Sequence, residues 1–423
     1  MPYKLSQVIE RALTEAVLRD VIAACDPAAR VRDALAEPVV AARLTDPHRR
    51  RLAVAIGKAA LAMARGAGEV AAGVAVVPRG GGGALPRGWQ VFEGTHPEPD
   101  AASVAAGRAA LALVASARSD DVVLALISGG ASALAEVPVV ALDELVATVR
   151  AVMAAGAVID EINAVRGALS AIKAGQLALA SAAPVVTLAV SDVIGDPLAV
   201  IGSGPTIGPW LASPGVAVDD GAATRRSRAR AVLERHGVAV PALLAGPLPA
   251  SEATRSDHAA VIAPMASAAR AAIQALAARG IAASLVAAPL SGDVEAVAAA
   301  LAAERAGEPV VAWGEPTLRV PAVHGAGGRA QQLALVLARC LRGTTRTAFV
   351  VGTDGIDGPP PPGRPSPAGA WVDGATWDAI VAAGHDPAAA LARCDAGTAL
   401  AAAGALVVTG PSGINHADLV ILG

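Results

Sequence analysis

The chain is poor in lysine, asparagine, cysteine and aromatic residues, and each shortage excludes something. Of its 34 basic residues only Lys4, Lys58 and Lys173 are lysines, and its asparagines are Asn163 and Asn415. Aromatics make up 2% of the 423 residues, too few for the stacking platforms that bind single-stranded nucleic acid. A net charge of −3 leaves no global positive field for nucleic acid or anionic lipid. Cys25, Cys340 and Cys394 lie far apart and form no CxxC pair, so the expected compartment is a reducing cytoplasm. The longest uncharged runs, 174–191 and 396–415, are broken by Gly, Pro, Ser, Thr, Gln or Asn. They read as helix–turn–strand segments and not as membrane spans. The opening MPYKLSQVIERALTEAV carries charges through its apolar positions and does not read as a signal peptide.

What is abundant is alanine, arginine, glycine and proline. Against that drift, a surviving lysine or asparagine marks a place where a compact ammonium or a carboxamide is needed, because arginine and lysine differ in reach and hydration. The length favours two or three domains. Residues 5–45 have helical apolar spacing. A unit then recurs: a short apolar run, a glycine-rich or polar turn, and a helix-like stretch. Such runs are LAVAI (52–56), VVLALI (122–127), VVTLAV (185–190), VVAW (310–313), AFVVG (348–352) and ALVVTG (405–410). Strands apolar on both faces that alternate with helices predict an α/β fold with a mostly parallel, helix-covered sheet. Ligands of such sheets bind beyond the carboxyl ends of the strands. The Pro-, Gly- and charge-rich segment 210–250 predicts a domain boundary.

The strand ends carry the chemistry. In SGGASAL (128–134), Ser128, Gly129, Gly130 and Ser132 open a helix, where backbone N–H groups favour an anion. Lys58 in GKAALAMA stands at a helix start, a poor place for a cation unless an anion is present. In EINAVRGALSAIKAG (161–175), Ile162, Val165, Leu169 and Ile172 predict one long helix with a buried stripe. Asn163, Arg166, Ser170 and Lys173 then align on a neighbouring polar face suited to a substrate acid, or to plain solvent. HPEPD (96–100) predicts a rigid turn with Asp100 capping the next helix and His96 as a lesser ligand candidate. Arg329 follows the glycine turn GAGGR. Asp192 and Asp196 end one strand, and Asp354 and Asp357 end another. These are hard oxygen donors of the kind Mg²⁺ takes beside phosphates, although each alone is more often a turn residue.

In order along the chain, GKAALAMA, GTHPEPD, LISGGASAL, IDEINAVRGALSAIKAG, SDVIGDPLAVIGSGPT, GAGGR, TDGIDG and TGPSGIN resemble the two-domain glycerate 2-kinases, often labelled hydroxypyruvate reductases. The likeness covers roughly 50–423. It implies a Rossmann-like α/β/α N-terminal domain (1–240, DUF4147 type) and a smaller α/β C-terminal domain (241–423, MOFRL type from about 305). The active site is expected in the cleft between them. It implies ATP- and Mg²⁺-dependent phosphorylation of D-glycerate at the 2-hydroxyl. Lys58, Arg329 and Asp192 are then the expected catalytic residues, with Lys58 and Arg329 clamping the phosphoryl group as the domains close. Ser128, Gly129, Gly130, Ser132, Asn163, Arg166, Lys173, Glu315 and Asn415 are expected around substrate and phosphate, and Asp192 and Asp354 at the metal. A small-molecule partner is expected, with neither nucleic acid nor membrane; the oligomeric state stays open, a homodimer among the options. The reductase label gains nothing here, because no GxGxxG turn follows a predicted strand. The family's usual residues are replaced at Pro316, Ala330 and Gln332. These departures leave two alternatives: a kinase for another small hydroxy acid or sugar acid, and a weakened homologue that senses a ligand.

Overall fold

The computed structural model describes residues 9–44, 46, 48–208, 211, 222–245, 257–304 and 307–423. Lys4 lies outside them. The chain divides into two compact units, one of Pro27–Ala263 and one of Pro264–Gly423 joined by the residues up to Asp26.

The Pro27–Ala263 unit is built on six strands: β1 (Arg51–Ile56), β2 (Ala72–Pro78), β3 (Trp89–Gly94), β4 (Val122–Ile127), β5 (Val185–Val190) and β6 (His258–Ala263). Their order is β3-β2-β1-β4-β5-β6, and every pairing is parallel. That is the Rossmann strand order. Alternation along β1 splits the core in two. Leu52, Val54 and Ile56 pack with Ala106, Ala110 and Val114 of the helix Ala101–Ala115, whereas Ala53 and Ala55 pack with Met63 and Val31 on the other face. Burial on both faces is why β4 reads as an unbroken apolar run and β5 as one interrupted only by Thr187. Asp100 caps the helix Ala101–Ala115, its carboxylate accepting from the Ser103 N–H at 3.0 Å.

The other unit holds β7 (Ser284–Leu285), β8 (Val310–Gly314), β9 (Thr347–Gly352), β10 (Gly369–Asp373), β11 (Leu406–Val407) and β12 (Asp418–Leu422), in the order β11-β10-β9-β12-β8-β7. Here only β7 and β8 run parallel; β12 lies antiparallel to β8 and β9, and β10 antiparallel to β9 and β11. Ala348 and Val350 face the helix Arg329–Cys340, whereas Phe349 and Val351 face the helices Arg11–Ala24 and Ser267–Ala277. Arg11 fastens its helix by donating to the carbonyls of Gly404 and Leu406 at 2.7 and 2.6 Å. The first described helix therefore completes the core of the later-built unit, although its spacing in sequence shows only that it is amphipathic.

The segment expected as one helix over 161–175 is two pieces. A helix runs Ile159–Ala168 and a short turn Gln176–Leu179 follows. Between them, residues 169–171 pair with 137–139: Val139 N–H donates to Leu169 O and Ala171 N–H to Val137 O, at 3.0 and 2.8 Å. That pairing, and the left-handed conformation of Ala174 and Gly175, ends the helix. The apolar stripe is buried as expected, but Ser170 and Lys173 do not share a helical face with Asn163 and Arg166. Among the described residues no helix is long and apolar enough to cross a membrane.

Leu126 on β4 is fully buried. Leu126→Ala should cost about 3 kcal/mol in urea denaturation, because the packed sheet cannot close the cavity. Asp100→Ala should cost only about 1 kcal/mol through the lost cap.

Candidate functional site

Parallel pairing brings the carboxyl ends of neighbouring strands to one edge of the sheet, and the turns after β1, β4, β5 and β3 meet there. Lys58 follows β1. Its N–H donates to the Gly129 carbonyl at 2.9 Å, and the next N–H, of Ala59, donates to Ser128 Oγ at 3.0 Å. Gly57 has φ +132°, and a Cβ there would stand 2.2 Å from Ser128 Oγ, so only glycine lets the two turns touch. A Cβ on Gly129 would stand 1.8 Å from Asp192 Oδ2; the carboxylate after β5 therefore lies directly on this backbone. One built on Gly130 would meet Lys58 Cγ at 3.2 Å and His96 Cδ2 at 3.3 Å. Lys58, His96, Asp192 and the 128–130 turn are thus one cluster.

Its electrostatics favour an anion. Desolvation, then the charges of Lys58 and Arg166, hold the His96 imidazole below its ordinary pKa, which favours the neutral ring at neutral pH. Arg166, on the helix Ile159–Ala168, is half-buried; desolvation pulls its pKa down while Glu136 pushes it up. Ser128 is buried and already tied to Ala59, so it holds the turns together. Ser132 lies partly exposed in the short helix Ala131–Leu134.

Lys173 is not where the sequence reading put it. It is 1% exposed and ion-paired to Glu136, itself 1% exposed. Burial lowers its pKa, opposed by Glu136. An ammonium enclosed in this way cannot reach a substrate; it anchors the carboxylate that also faces Arg166. Asn163 is engaged by Ser203, its Oδ1 accepting from Ser203 Oγ at 2.8 Å. Glu136 was missed in sequence, although it is the only charge between Asp121 and Asp143, an anomaly in an apolar run.

A second cluster occupies the other unit. Arg329 opens the helix Arg329–Cys340. Its Nε and Nη2 donate to the two oxygens of Asp418 at 2.6 and 3.1 Å, and its Nη1 to Glu315 at 2.9 Å. Glu315, expected at the substrate, is here the arginine's partner. Burial opposes the Arg329 charge, but Asp418 and Glu315 outweigh it and raise the pKa. Asp418 is 2% exposed, and burial, reinforced by Asp357 and Glu315, pushes its pKa up to about 6 despite Arg329. Asp357 caps the same helix, accepting from the N–H groups of Ala330 and Gln331 at 3.0 and 2.7 Å. The Asp357 carboxyl is committed to the helix, and burial raises its pKa. Asp354 serves its own turn, accepting from the Ile356 N–H at 3.1 Å. Asn415 is partly exposed three residues before Asp418. Ala330 and Gln332 are buried, with Gln332 Nε2 donating to Leu391 O at 2.9 Å. Among the described residues no three His, Cys, Asp or Glu side chains gather as a metal cage.

Comparison with known proteins places the chain in a family. Residues 13–245 match the family described as Domain of unknown function (DUF4147), and 309–418 match the MOFRL family. A D-glycerate 2-kinase of Thermotoga maritima is 33% identical over 88% of this chain and 90% of its own. A protein of Agrobacterium vitis named putative hydroxypyruvate reductase is 34% identical over 98% and 94%. The crystal structure of glycerate kinase from Thermotoga maritima superimposes with a TM-score of 0.80, at 30% identity, covering 97% of this chain and 98% of that one. The chain belongs to the DUF4147–MOFRL glycerate 2-kinase family.

Because the folded pKa of Asp418 is raised, its unit binds a proton more tightly than the unfolded chain does. Stability from this group is present below pH 4 and is lost as pH rises through about 6. In urea denaturation, Asp418→Asn should remove that slope. The variant should gain on wild type between pH 4 and 7, by on the order of 3 kcal/mol. Parallel pH profiles of the two proteins would show that Asp418 carries no such strain.

Proposed function

We propose that this member of the DUF4147–MOFRL family transfers the γ-phosphoryl group of ATP to the 2-hydroxyl of D-glycerate, giving 2-phosphoglycerate and ADP. The observation that carries the reading is the strand-end cluster of Lys58, His96, Asp192 and the 128–130 turn, with Arg166 beside it. Phosphoryl transfer asks little covalent chemistry of a protein; it needs aligned reactants and neutralised charge on the moving group. Lys58 supplies a compact ammonium whose backbone is latched to Gly129. Arg166 offers the substrate carboxylate a guanidinium backed by Glu136. His96, held neutral, can accept or donate a hydrogen bond without adding charge.

Asp192 accepts a hydrogen bond from the glycerate hydroxyl and orients it. It is also the donor type that fits Mg²⁺, which binds through one or two carboxylates and the substrate's phosphates and so needs no preformed protein cage. When bound, Mg²⁺ supplies neutralisation of phosphate charge. Arg329 is the second cation assigned to the phosphoryl group. Three of its five N–H donors are engaged with Asp418 and Glu315, which leaves two for phosphate oxygens in a fixed plane. The departures at Ala330 and Gln332 lie in the packed face of the helix and lend no support to a different acid. Intact Lys58, Arg329 and Asp192 weigh against a mere sensor.

Coupled ADP-release assays across glycerate and several sugar acids, beside NADH oxidation with hydroxypyruvate, test the reading. Glycerate should be the preferred acceptor. Lys58→Ala and Arg329→Ala should each lose about a thousandfold in kcat, and Lys58→Arg should remain poor because its reach differs. Near-normal turnover in either alanine variant would remove that residue from the mechanism. Turnover of hydroxypyruvate with NADH and none of glycerate would overturn the kinase assignment.

A further inference from the structure

We infer that Asp418 is a positioning residue of the transfer reaction, which acts by holding the Arg329 guanidinium in the orientation that receives the migrating phosphoryl group. The inference rests on the kinase reading above.

The backbone of Asp418 is fixed from both sides. Its strand, β12, lies between β9 and β8, and Asp418 stands opposite Gly352 on one and Gly314 on the other. Alternation along β12 packs Val420 and Leu422 with the helix Arg329–Cys340, and Leu419 and Ile421 into the core on the opposite face. Asp418 shares the face of Val420, which is the face toward the helix that Arg329 opens. Its two cross-strand neighbours are glycines, so neither sets a side chain beside it on that face. The carboxylate is enclosed, and Arg329 donates to both of its oxygens, at 2.6 and 3.1 Å. Two parallel bonds set the plane of the guanidinium as well as its distance. Glu315 meets the same arginine through Nη1, from a side chain that is half exposed; a single bond of that kind leaves the plane free to turn.

The grip depends on charge. The charged groups that bear on Asp418 are Arg329 from the helix start, Glu315 from the end of β8 and Asp357 from the turn after β9. Once protonated, Asp418 is a neutral acid with one oxygen occupied by its own proton, and Arg329 is left to the half-exposed Glu315. Burial and the two neighbouring acids bring that proton uptake to about pH 6, within the range where turnover can register it. Arg329 keeps its own charge throughout. What acid removes is therefore the orientation of the cation and not the cation itself.

ADP release with glycerate, measured from about pH 5 to 8 for wild type, Asp418→Asn, Arg329→Ala and the double variant, tests the inference. At the alkaline end Asp418→Asn should lose about a hundredfold in kcat, the size expected of a group held about 1 Å out of place, with KM for glycerate within about threefold. Wild-type kcat should step down as pH falls through about 6, and Asp418→Asn should lack that step. In the Arg329→Ala background the same substitution should cost less than about threefold more, because the group it acts through is gone. Asp418→Asn should meanwhile resist urea better than wild type, so turnover and stability move in opposite directions, which a merely structural role does not produce. If that variant does not fold, the pH profiles of wild type and Arg329→Ala decide: the step should be present in the first and absent from the second. Unchanged kcat in Asp418→Asn, a pH step shared with wild type, or the full loss repeated in the Arg329→Ala background would each overturn the inference while the kinase reading stands. A wild-type chain that releases no ADP with glycerate overturns that reading and the inference with it.

Discussion

A single backbone contact organises the first unit: the Lys58 N–H donates to the Gly129 carbonyl, and the Ser128 hydroxyl closes the next N–H beside it. Two strand-end turns held at that distance leave no room for side chains between them. Glycine at 57 and at 129 follows from this closeness, and so does the place of Asp192, whose carboxylate fills the volume a Cβ at 129 would take. The turns that carry the cation, the carboxylate and the glycines are held together by main-chain contacts, which fix where each of these side chains starts. Preorganised charge of this kind costs no rearrangement at the moment of reaction.

The second unit reaches a similar end by a costlier route. Asp418 sits buried at the head of β12 with Asp357 and Glu315 nearby, an arrangement that works against its charge. What it gains is a bidentate grip on Arg329, which fixes the plane of the guanidinium. Lys173 and Glu136 repeat the pattern in the first unit, a fully enclosed pair standing behind Arg166. Burying ion pairs is a poor way to stabilise a fold. In both places the pair backs an arginine that belongs to the candidate chemistry, so the expense is one of positioning.

Much of this was legible before any coordinates. The buried parallel strands announced themselves because a strand covered on both faces is mostly apolar: β4 is so throughout, β1 from Leu52 onward, and β5 apart from Thr187. Lys58 stood out because lysine is scarce and a helix start is the wrong place for one. Other elements were not legible. β12 is short and carries aspartate at its head, β3 carries Gln90 and Glu93, and the four glycines after β2 lead to another strand and not to a helix, so neither β2 nor β3 fits the recurring unit. The stretch 161–175 has faultless helical spacing, yet residues 169–171 pair with 137–139 and break it; a periodicity count has no access to a partner more than 30 positions away.

Residue types and their order therefore determined the kind of structure: alternating strands and helices, two cores, and strand-end turns rich in glycine and charge. These follow from local hydrophobic period and backbone freedom, which act over a few residues. Only the tertiary structure decided what each charge does. Lys58 stays exposed while Lys173 is paired to Glu136; Glu315 serves Arg329, and Asn163 accepts from Ser203 while Arg166, three residues along the same helix, answers to Glu136. The reason is that a charged side chain takes its role from the nearest opposite charge and from its access to water, and both are set by segments far apart in the chain.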